Sequence, residues 1–267
     1  GLDHTEYLGK TIGEVAVQKA GILRKDTPAL YWGDDDASAK TIENCIHSVG
    51  AIGQCVDKNK WKDEKFRDKN IDFSYNSRYY DYIAITVSGI AVYQIENVSM
   101  ALCALESLLS REEMPSVQII RDVLKQTVWP GRMEEVLLDI FVDGAHNENG
   151  ICAFLDSVEQ MKPAKKTLLF AVVSDKDYKA MIADIVKRNI FDEIVITGLE
   201  NSRALSSQEI LQNFYECGRK EIVVIDDVEQ AFSSLCAKKG EGEQIFVAGS
   251  LYLVGRIKEI IGRNQND

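Results

Sequence analysis

Several short stretches of this sequence carry side chains that could bind or activate an anionic substrate. Residues 143–147 read Asp-Gly-Ala-His-Asn and join a predicted strand to a predicted helix. The aspartate can accept hydrogen bonds from a ribose, the histidine can bind a phosphate or carboxylate, and the glycine lets a backbone approach closely. The same five residues also fit a polar turn with a helix cap, and taken alone they favour that interpretation.

Lys19 lies in a predicted helix, on the face that carries Ile12 and Val15. Near apolar surface the charged form of a lysine is disfavoured, which makes the amine more nucleophilic. The alternative is a lysine whose stem covers apolar surface while its charge stabilises the last helical turn. The helical pattern alone favours this alternative.

Three further polar residues stand where a ligand could reach them. His4 neighbours Asp3 in a predicted loop and fits either a metal ligand or a surface side chain. Arg132 follows a Pro-Gly pair, from which it could reach a phosphate across a domain cleft or simply face solvent. Asn97 stands near a predicted helix start, where its amide fits a ligand contact or a helix cap.

The composition limits the compartment and the partners of the chain. With 31 basic and 42 acidic residues among 267, the net charge is -11, which argues against nucleic acid or an anionic membrane surface as a partner. A local group of Lys and Arg can still bind a small anion. Six scattered cysteines without a Cys-x-x-Cys pair are typical of reduced thiols, and no apolar run reaches the roughly 20 residues that span a bilayer. The first residues of the sequence lack the basic, apolar, small-residue order that is typical of a signal peptide. These features predict a cytoplasmic protein.

The elements that must position these residues follow two patterns, separated by Trp129-Pro130-Gly131. In the first part we predict a helix opened by a capping box of Thr11 and Glu14 and ended by Gly21. The other predicted features of this part are a strand at 27–32, a helix at 36–48, an exposed charged stretch at 58–69, antiparallel strands at 71–75 and 79–87, and a helix at 97–109.

In the second part, strands and helices alternate. Strands are predicted near 136–142, 167–173, 193–197, 221–225 and 244–247, with helices between them, one opened by a capping box of Ser206 and Glu209. Five successive β-α units imply an α/β fold with an open, mainly parallel sheet that is covered on both faces. Ligand groups gather at the carboxyl ends of such strands. The predicted domains are residues 1–130 and 131–267.

One stretch resembles a phosphate-binding motif but does not complete it. Gly9-Lys10-Thr11 resembles the end of a P-loop, but His4 stands where the first glycine of that loop is required. No strand fits ahead of it either. The 267 residues therefore contain no Walker A loop.

The order and spacing of several stretches carry a family resemblance that covers nearly the whole chain. The stretches are residues 2–9, 11–14, 19–22, 94–97, 129–132, 143–147 and 249–255. Together they resemble the folylpolyglutamate synthase / dihydrofolate synthase family of Mur ligases. The resemblance implies the later part of a central ATPase domain, followed by a Rossmann-like C-terminal domain with a mainly parallel sheet.

The resemblance also implies a reaction and its cofactors. Family members use ATP and Mg²⁺ to join L-glutamate to a folate or to dihydropteroate through an acyl phosphate. Positioning and charge neutralisation would supply most of the catalysis, with ATP bridging two domains that close over it. A monomer is expected for the full-length protein.

Individual roles follow from positions that match the family's motifs. His4 matches the magnesium-binding histidine, and Lys19 matches the lysine that is carbamylated and so turned into a carboxylate-like group. Asn97, Arg132 and Asp143 match residues that contact ATP. His146, a catalytic candidate, and Ser250, a substrate-binding candidate, lie in motifs that line the glutamate side of the cleft.

Two departures from the family pattern stand out. Tyr93 replaces the histidine that usually precedes the Gln-Ile-Glu-Asn stretch, which puts that contact in doubt. The P-loop, the magnesium-binding serine, a glutamate that pairs with His4 and the folate-binding loop would all lie upstream of Gly1. We therefore expect this polypeptide by itself to be inactive, although its parent is expected to be a ligase.

Two other functions stay open at this point. One is a catalytically dead module that binds nucleotide or a protein partner, and the other is a Mur-type ligase for a cell-wall or storage-polymer precursor. A complete upstream phosphate loop would favour an enzyme. The Asp-His-Thr-Glu-Tyr-Leu-Gly stretch at residues 3–9 favours folate over cell-wall substrates through the resemblance.

Overall fold

The computed structural model describes residues 11–33 and 36–264 of the chain. The chain divides into two compact units between Val128 and Trp129. We call residues 1–128 unit 1 and residues 129–267 unit 2. Each unit combines helices with β-sheet, so the α/β class is confirmed.

The described part of unit 1 contains four α-helices and five strands. In chain order they are α1 (Ile12–Ala20), β1 (Pro28–Trp32), α2 (Asp36–Val49), β2 (Ile52–Val56), β3 (Trp61–Phe66), β4 (Asn70–Asn76), β5 (Tyr82–Ser88), α3 (Gln94–Leu108) and α4 (Val117–Gln126). β1 pairs in parallel with β2, while β3, β4 and β5 form a separate antiparallel sheet.

Both hydrogen bonds of the capping box predicted at the start of α1 are present. The Glu14 N–H donates to Thr11 Oγ1 at 3.2 Å, and the Thr11 N–H donates to Glu14 Oε2 at 3.0 Å. These two bonds satisfy backbone donors that a helix start leaves without partners inside the helix. Gly21 caps the other end, as predicted.

The exposed charged stretch predicted at 58–69 is confirmed for most of its side chains, and the structure adds that this stretch contains strand β3. The charged side chains from Lys62 to Lys65 are indeed exposed, but their backbone pairs with β4 through an irregular register at Asp63, whose φ is 59°. Charged side chains are common on an edge strand because they discourage pairing with another chain. Charge alone therefore did not distinguish this strand from a loop. Strand β2 and helix α4 were not predicted at all.

The core of unit 1 follows the period-two pattern of β4 and β5. Alternate side chains of these strands are buried, namely Ile71, Phe73, Tyr75, Ile83, Ile85 and Val87. They pack with α3 and α4 through Ile95, Val98, Leu102 and Ile120. The predicted antiparallel strands and the helix that follows them are thus confirmed, with the helix starting at Gln94.

A buried carboxylate, Glu106, holds the β4–β5 turn against α3. Its Oε1 accepts hydrogen bonds from Ser77 Oγ at 2.6 Å and from the Arg78 N–H at 3.0 Å, and its Oε2 accepts one from the Tyr75 hydroxyl at 3.0 Å. Only 1% of Glu106 is exposed. Because a buried charge is costly unless it is hydrogen-bonded, these three donors decide whether the turn can be stable.

Unit 2 is built on a six-stranded sheet. Its elements are β6 (Glu134–Leu137), β7 (Ile140–Val142), α5 (Glu148–Glu159), β8 (Lys166–Phe170), α6 (Tyr178–Arg188), β9 (Glu193–Ile196), α7 (Ser207–Glu216), β10 (Val223–Val224), α8 (Val228–Lys238), β11 (Gln244–Ala248) and α9 (Leu251–Asn264). The strand order is β10-β9-β8-β11-β7-β6, and all neighbours are parallel except β6 and β7. The mainly parallel sheet is confirmed.

Both faces of this sheet are covered, which is why its strands read as continuous apolar runs. On one face, α8 and α9 pack on side chains such as Val142, Leu169 and Val247. On the other face, Phe246 contacts Phe141 and Phe154 at ring-centroid distances of 5.5 and 6.1 Å. Helix α5 therefore covers one face while α9 covers the other.

The first predicted strand of this part, residues 136–142, is wrong in one respect. The segment forms two antiparallel strands, β6 and β7, joined by a turn at Leu138 and Asp139. Asp139 has a φ of 58°, which a continuous strand cannot contain. The turn is not apparent in the sequence because apolar residues lie on both sides of it and the exposed Leu138 lies within it.

Among the described residues, no helix combines the length and the apolarity that crossing a bilayer requires.

Replacing Glu106 by Gln should destabilise unit 1 by about 1–3 kcal/mol, because the amide removes the charge and one acceptor oxygen from three buried donors. Urea unfolding followed by tryptophan fluorescence measures this, since Trp32 and Trp61 stack at 5.7 Å inside unit 1. Glu112→Gln, at an exposed position, is the matched control and should leave the midpoint unchanged. Equal midpoints for the two variants would contradict the assigned role of Glu106.

Candidate functional site

The carboxyl edge of the unit 2 sheet brings together the loops that follow β7, β8, β9 and β11. The loop after β7 leads into α5 on one face, and the loop after β11 leads into α9 on the other. Neighbouring strands whose connections leave toward opposite faces open a crevice between their loops. The candidate residues of unit 2 all lie at this crevice or beside it.

Asp143 sits at the end of β7 and fixes the shape of the following loop. Its Oδ1 accepts a hydrogen bond from the Ala145 N–H at 2.8 Å, and its Oδ2 accepts one from the Met133 N–H at 2.9 Å. The residue is 2% exposed. Because both bonds are charge-assisted, the carboxylate holds the β7–α5 loop to the segment that precedes β6. Its described contacts are therefore those of a residue that positions the loop.

Arg132 lies across the glycine of that loop. A Cβ on Gly144 would stand 2.3 Å from Arg132 Nη1 and 2.5 Å from Leu251 Cδ2, so a larger residue there would displace the ends of these two side chains. Arg132 Nη1 donates to the Gly131 carbonyl at 3.2 Å, and the Gly144 N–H donates to the same oxygen at 2.8 Å. In the part of the chain that the structure describes, no carboxylate forms an ion pair with this half-buried arginine, an arrangement that suits a bound anion.

His146 is oriented by a backbone carbonyl of the same loop. Its Nδ1 lies 2.7 Å from the Gly144 oxygen. Since a carbonyl only accepts, Nδ1 must carry the hydrogen, and in the neutral ring the lone pair is then on Nε2. Asn147 next to it caps α5, its Oδ1 accepting from the Gly150 N–H at 2.8 Å. The alternative of a polar turn with a helix cap thus describes the local structure, and it coexists with a usable histidine.

The loop after β11 is joined to the loop after β7 through Gly249. Its N–H donates to the Ala145 carbonyl at 2.9 Å, and its φ is 105°, which strongly favours glycine. A Cβ there would stand 2.4 Å from the Ala171 oxygen. Ser250 follows, is 1% exposed, and accepts a hydrogen bond on Oγ from the Tyr252 N–H at 3.1 Å.

Three residues at this edge were missed by the sequence analysis: Arg203, Asp175 and Tyr252. Arg203 Nη1 donates to Asp175 Oδ2 at 3.1 Å, its Nη2 donates to the Tyr252 hydroxyl, and its guanidinium lies 5.6 Å from the centre of the Tyr252 ring. The hydrogen bond to the Tyr252 hydroxyl first, and then the charge of the Asp175 carboxylate, raise the pKa of Arg203. Only the position of Tyr252 in the Gly-Ser-Leu-Tyr stretch could have drawn attention to this group.

The candidates of unit 1 are placed differently. Lys19 is exposed near the end of α1, whereas Val15 and Ala16 are buried. Lys19 follows Val15 and Ala16 by four and three residues and so shares their helical face, as predicted, but its side chain is exposed instead of lying against apolar surface. Asn97 lies in the first turn of α3 and is exposed, with its Nδ2 donating to Gln94 Oε1 at 2.9 Å, so it is not a helix cap.

The predicted metal ligand, His4, lies outside the described residues. Among residues 11–33 and 36–264, no group of three or more His, Cys, Asp or Glu side chains could hold a metal ion. The structure thus brings together Arg132, Asp143, His146 and Ser250, all of them in unit 2.

The chain resembles known proteins in sequence and in fold. Residues 131–251 match the family model described as "Mur ligase, glutamate ligase domain". The chain is 27% identical over 269 residues to the dihydrofolate synthase/folylpolyglutamate synthase of Bacillus subtilis, and 24% identical over 264 residues to the folylpolyglutamate synthase of Lacticaseibacillus casei. Each match covers 97% of this chain and 60% of the relative.

Solved structures show the same fold at lower identity. E. coli FolC in complex with DHPP and ADP superposes with a TM-score of 0.81 at 23% identity, covering 99% of this chain and 60% of that one. The Mycobacterium tuberculosis folylpolyglutamate synthase complexed with ADP gives a TM-score of 0.86 at 19% identity, covering 98% and 62%. This chain therefore spans about 60% of the length of such relatives.

Gly249→Ala should destabilise unit 2 by about 2 kcal/mol or more, because the positive φ is strained for alanine and the Cβ meets a backbone oxygen. Gly255→Ala is the matched control, since a Cβ at that position in α9 meets nothing within 4 Å. It should be neutral or stabilise by about 0.5–1 kcal/mol. Calorimetric unfolding of both variants checks the difference, and a Gly249→Ala variant as stable as the wild type would refute the close approach of Gly249 to the Ala171 carbonyl after β8.

Proposed function

We propose that this chain belongs to the folylpolyglutamate synthase / dihydrofolate synthase family of Mur ligases, and that it serves an ATP-dependent ligase which joins L-glutamate to a folate or to dihydropteroate. The half-buried Arg132, which has no carboxylate partner among the described residues, carries the proposal for unit 2. It lies over a glycine-lined backbone at the crevice edge, where a nucleotide phosphate would meet both charge and close backbone approach.

The proposed reaction has two steps. A carboxylate oxygen of the folate or pteroate attacks the γ-phosphorus of ATP, the bond to the bridging oxygen breaks, and ADP leaves an acyl phosphate behind. The amine nitrogen of glutamate then attacks the acyl carbon. The tetrahedral intermediate collapses to the amide as the bond to phosphate breaks, and inorganic phosphate and one amine proton are released. Neutralising negative charge and aligning the reactants are the main tasks for the protein.

The residues of unit 2 suit these tasks. Arg132 would pair with ATP phosphate, and Asp143 would hold the loop in place and contribute to the ATP site. His146, with its lone pair on Nε2, could take the proton that the amine loses. Ser250 would contact the amino-acid substrate.

In unit 1 the proposal assigns Asn97 to ATP, His4 to Mg²⁺ and Lys19, once carbamylated, to ordering that metal. When bound, Mg²⁺ would neutralise phosphate charge. The exposure of Lys19 leaves its amine accessible to carbon dioxide. We further propose that residues 1–130 belong to a central ATPase domain and residues 131–267 to a Rossmann-like C-terminal domain, in a cytoplasmic enzyme that is monomeric at full length.

The test is mass-spectrometric detection of glutamate addition. Dihydropteroate, reduced folate, ATP, Mg²⁺ and glutamate are incubated with the longest natural polypeptide that contains this chain, and in parallel with the 267 residues alone. We expect product from the former only, because the 267 residues contain no Walker A loop. ATP turnover that requires a substrate other than folates would favour another Mur-type ligase, and nucleotide binding without turnover would favour a binding module.

Arg132→Ala should lower kcat/KM for ATP about 10- to 100-fold, as expected for a lost charge-assisted contact to phosphate. Arg188→Ala is the matched control. Arg188 is the last residue of α6, far from the crevice, and forms ion pairs with Asp156 and Glu159 of α5. Steady-state kinetics at varied ATP concentrations measure this, and we expect the control to keep the wild-type kcat/KM for ATP. An Arg132→Ala enzyme with wild-type kinetics would remove Arg132 from the nucleotide site.

A further inference from the structure

We propose that Arg203, oriented by Asp175 and Tyr252, is a specificity-determining residue that binds a carboxylate of the incoming amino acid. The inference rests on the proposed function, since it identifies how that reaction would recognise glutamate. None of the family stretches quoted above contains Arg203 or Asp175. The inference rests on two loops and the first turn of α9, which converge on one guanidinium.

The backbone of Arg203 is fixed before its side chain begins. Its carbonyl oxygen accepts hydrogen bonds from the Ser174 N–H at 2.8 Å and from Ser174 Oγ at 3.1 Å. An isolated bridge between Val173 and Ala204 continues this pairing. The loop that follows β9 is thereby attached to the loop that follows β8, so the arginine starts from a rigid point at the carboxyl edge.

The guanidinium of Arg203 is held in place, but only some of its N–H donors form hydrogen bonds. Asp175 accepts from Nη1 and the Tyr252 hydroxyl accepts from Nη2, while the Tyr252 ring supports the cation from one side. A guanidinium has five N–H donors in a rigid fork that matches a carboxylate. The described hydrogen bonds use two of them, and half of the side chain is exposed to solvent. An oriented arginine with donors left over is suited to a small exchangeable anion.

Its position links it to the rest of the crevice. The N–H of Tyr252 donates to the Oγ of Ser250 at 3.1 Å. One residue before Ser250, the N–H of Gly249 donates to the Ala145 carbonyl in the β7–α5 loop, which contains His146 and against which Arg132 lies. The two arginines thus flank the loop after β11, with Arg132 on the β7 side and Arg203 on the β8 side. An acyl phosphate and an amino acid need two such anion sites side by side.

A simpler role for Arg203 is that of a surface ion pair with Asp175. Exposed ion pairs contribute little to stability, so this role predicts small effects on folding and none on substrate preference. The experiment therefore has to separate substrate recognition from folding.

Kinetics of glutamate ligation by the longest natural polypeptide provide the test, in the wild type, Arg203→Ala, Arg203→Lys and the control Arg188→Ala. We expect Arg203→Ala to raise KM for glutamate about 10- to 100-fold, with KM for ATP and the thermal unfolding midpoint unchanged. Arg203→Lys should fall between, because it keeps the charge but loses the fork. The control should match the wild type.

Inhibition by two analogues shows which carboxylate is bound. Glutamine keeps the amine and the α-carboxylate, whereas 4-aminobutyrate keeps the amine and the side-chain carboxylate. Arg203→Ala should weaken inhibition by only one of them, glutamine if the α-carboxylate is bound and 4-aminobutyrate if the side-chain carboxylate is bound.

An Arg203→Ala enzyme with wild-type KM for glutamate would overturn the inference. So would a variant in which KM for ATP rises equally and the unfolding midpoint falls, because that pattern indicates a structural role. A wild-type polypeptide that ligates no glutamate would refute the proposed function itself, and this inference with it. That failure is visible before any variant is made.

Discussion

The buried carboxylate of Asp143 is the interaction on which the crevice of unit 2 depends. Two backbone N–H groups, from Met133 and Ala145, converge on it at 2.9 and 2.8 Å. An aspartate in this position must be compensated, because an unpaired buried charge would cost more than the fold can supply. The compensation is the fold of the loop itself: the bond to Ala145 closes the turn after β7, and the bond to Met133 fixes the segment that carries Arg132. Removing the carboxylate would break both bonds, and so would release both the loop and the segment that carries Arg132.

Backbone hydrogen bonds connect this loop to the loop after the neighbouring strand, β11. Ala145 accepts the N–H of Gly249, and the positive φ of Gly249 turns the chain from β11 into α9. Because α5 and α9 leave toward opposite faces, the two loops can lie side by side without their helices colliding. The continuous apolar strands below them are buried on both faces, which keeps the edge rigid. Precise placement of a few polar groups is the consequence.

Local chemistry of the chain was predictable where it is self-contained. The capping box of α1, the apolar strands β8, β9 and β11, and the alternating strands β4 and β5 all follow from signals within a few residues. Elements whose identity depends on a distant partner were missed. Strand β2 is mostly exposed and does not alternate, so that only its parallel pairing with β1 identifies it as a strand. Strand β3 lacks a strand pattern because most of its side chains are charged and face water.

The same rule explains the candidate site. Arg132, Asp143, His146 and Ser250 stand in recognisable stretches, whereas Arg203 and Asp175 come together only because β8 and β9 are neighbours in the sheet. The exposure of Lys19 was not predicted because helical periodicity gives the face of a residue but not the point along the helix where packing ends. Periodicity describes one element at a time, and sites are made where several elements end.

The acidity of the chain does not oppose anion binding at this edge. A net charge of -11 is spread over the whole chain, and at physiological ionic strength charges beyond about 8 Å are largely screened. The charged groups within that distance of a ligand then determine which anion it can be. Arg132 has no carboxylate partner among the described residues and suits a multiply charged phosphate, whereas Arg203 already shares its charge with Asp175 and suits a singly charged carboxylate. This difference in pairing would let one crevice hold a nucleotide at one side and an amino acid at the other without exchanging the two.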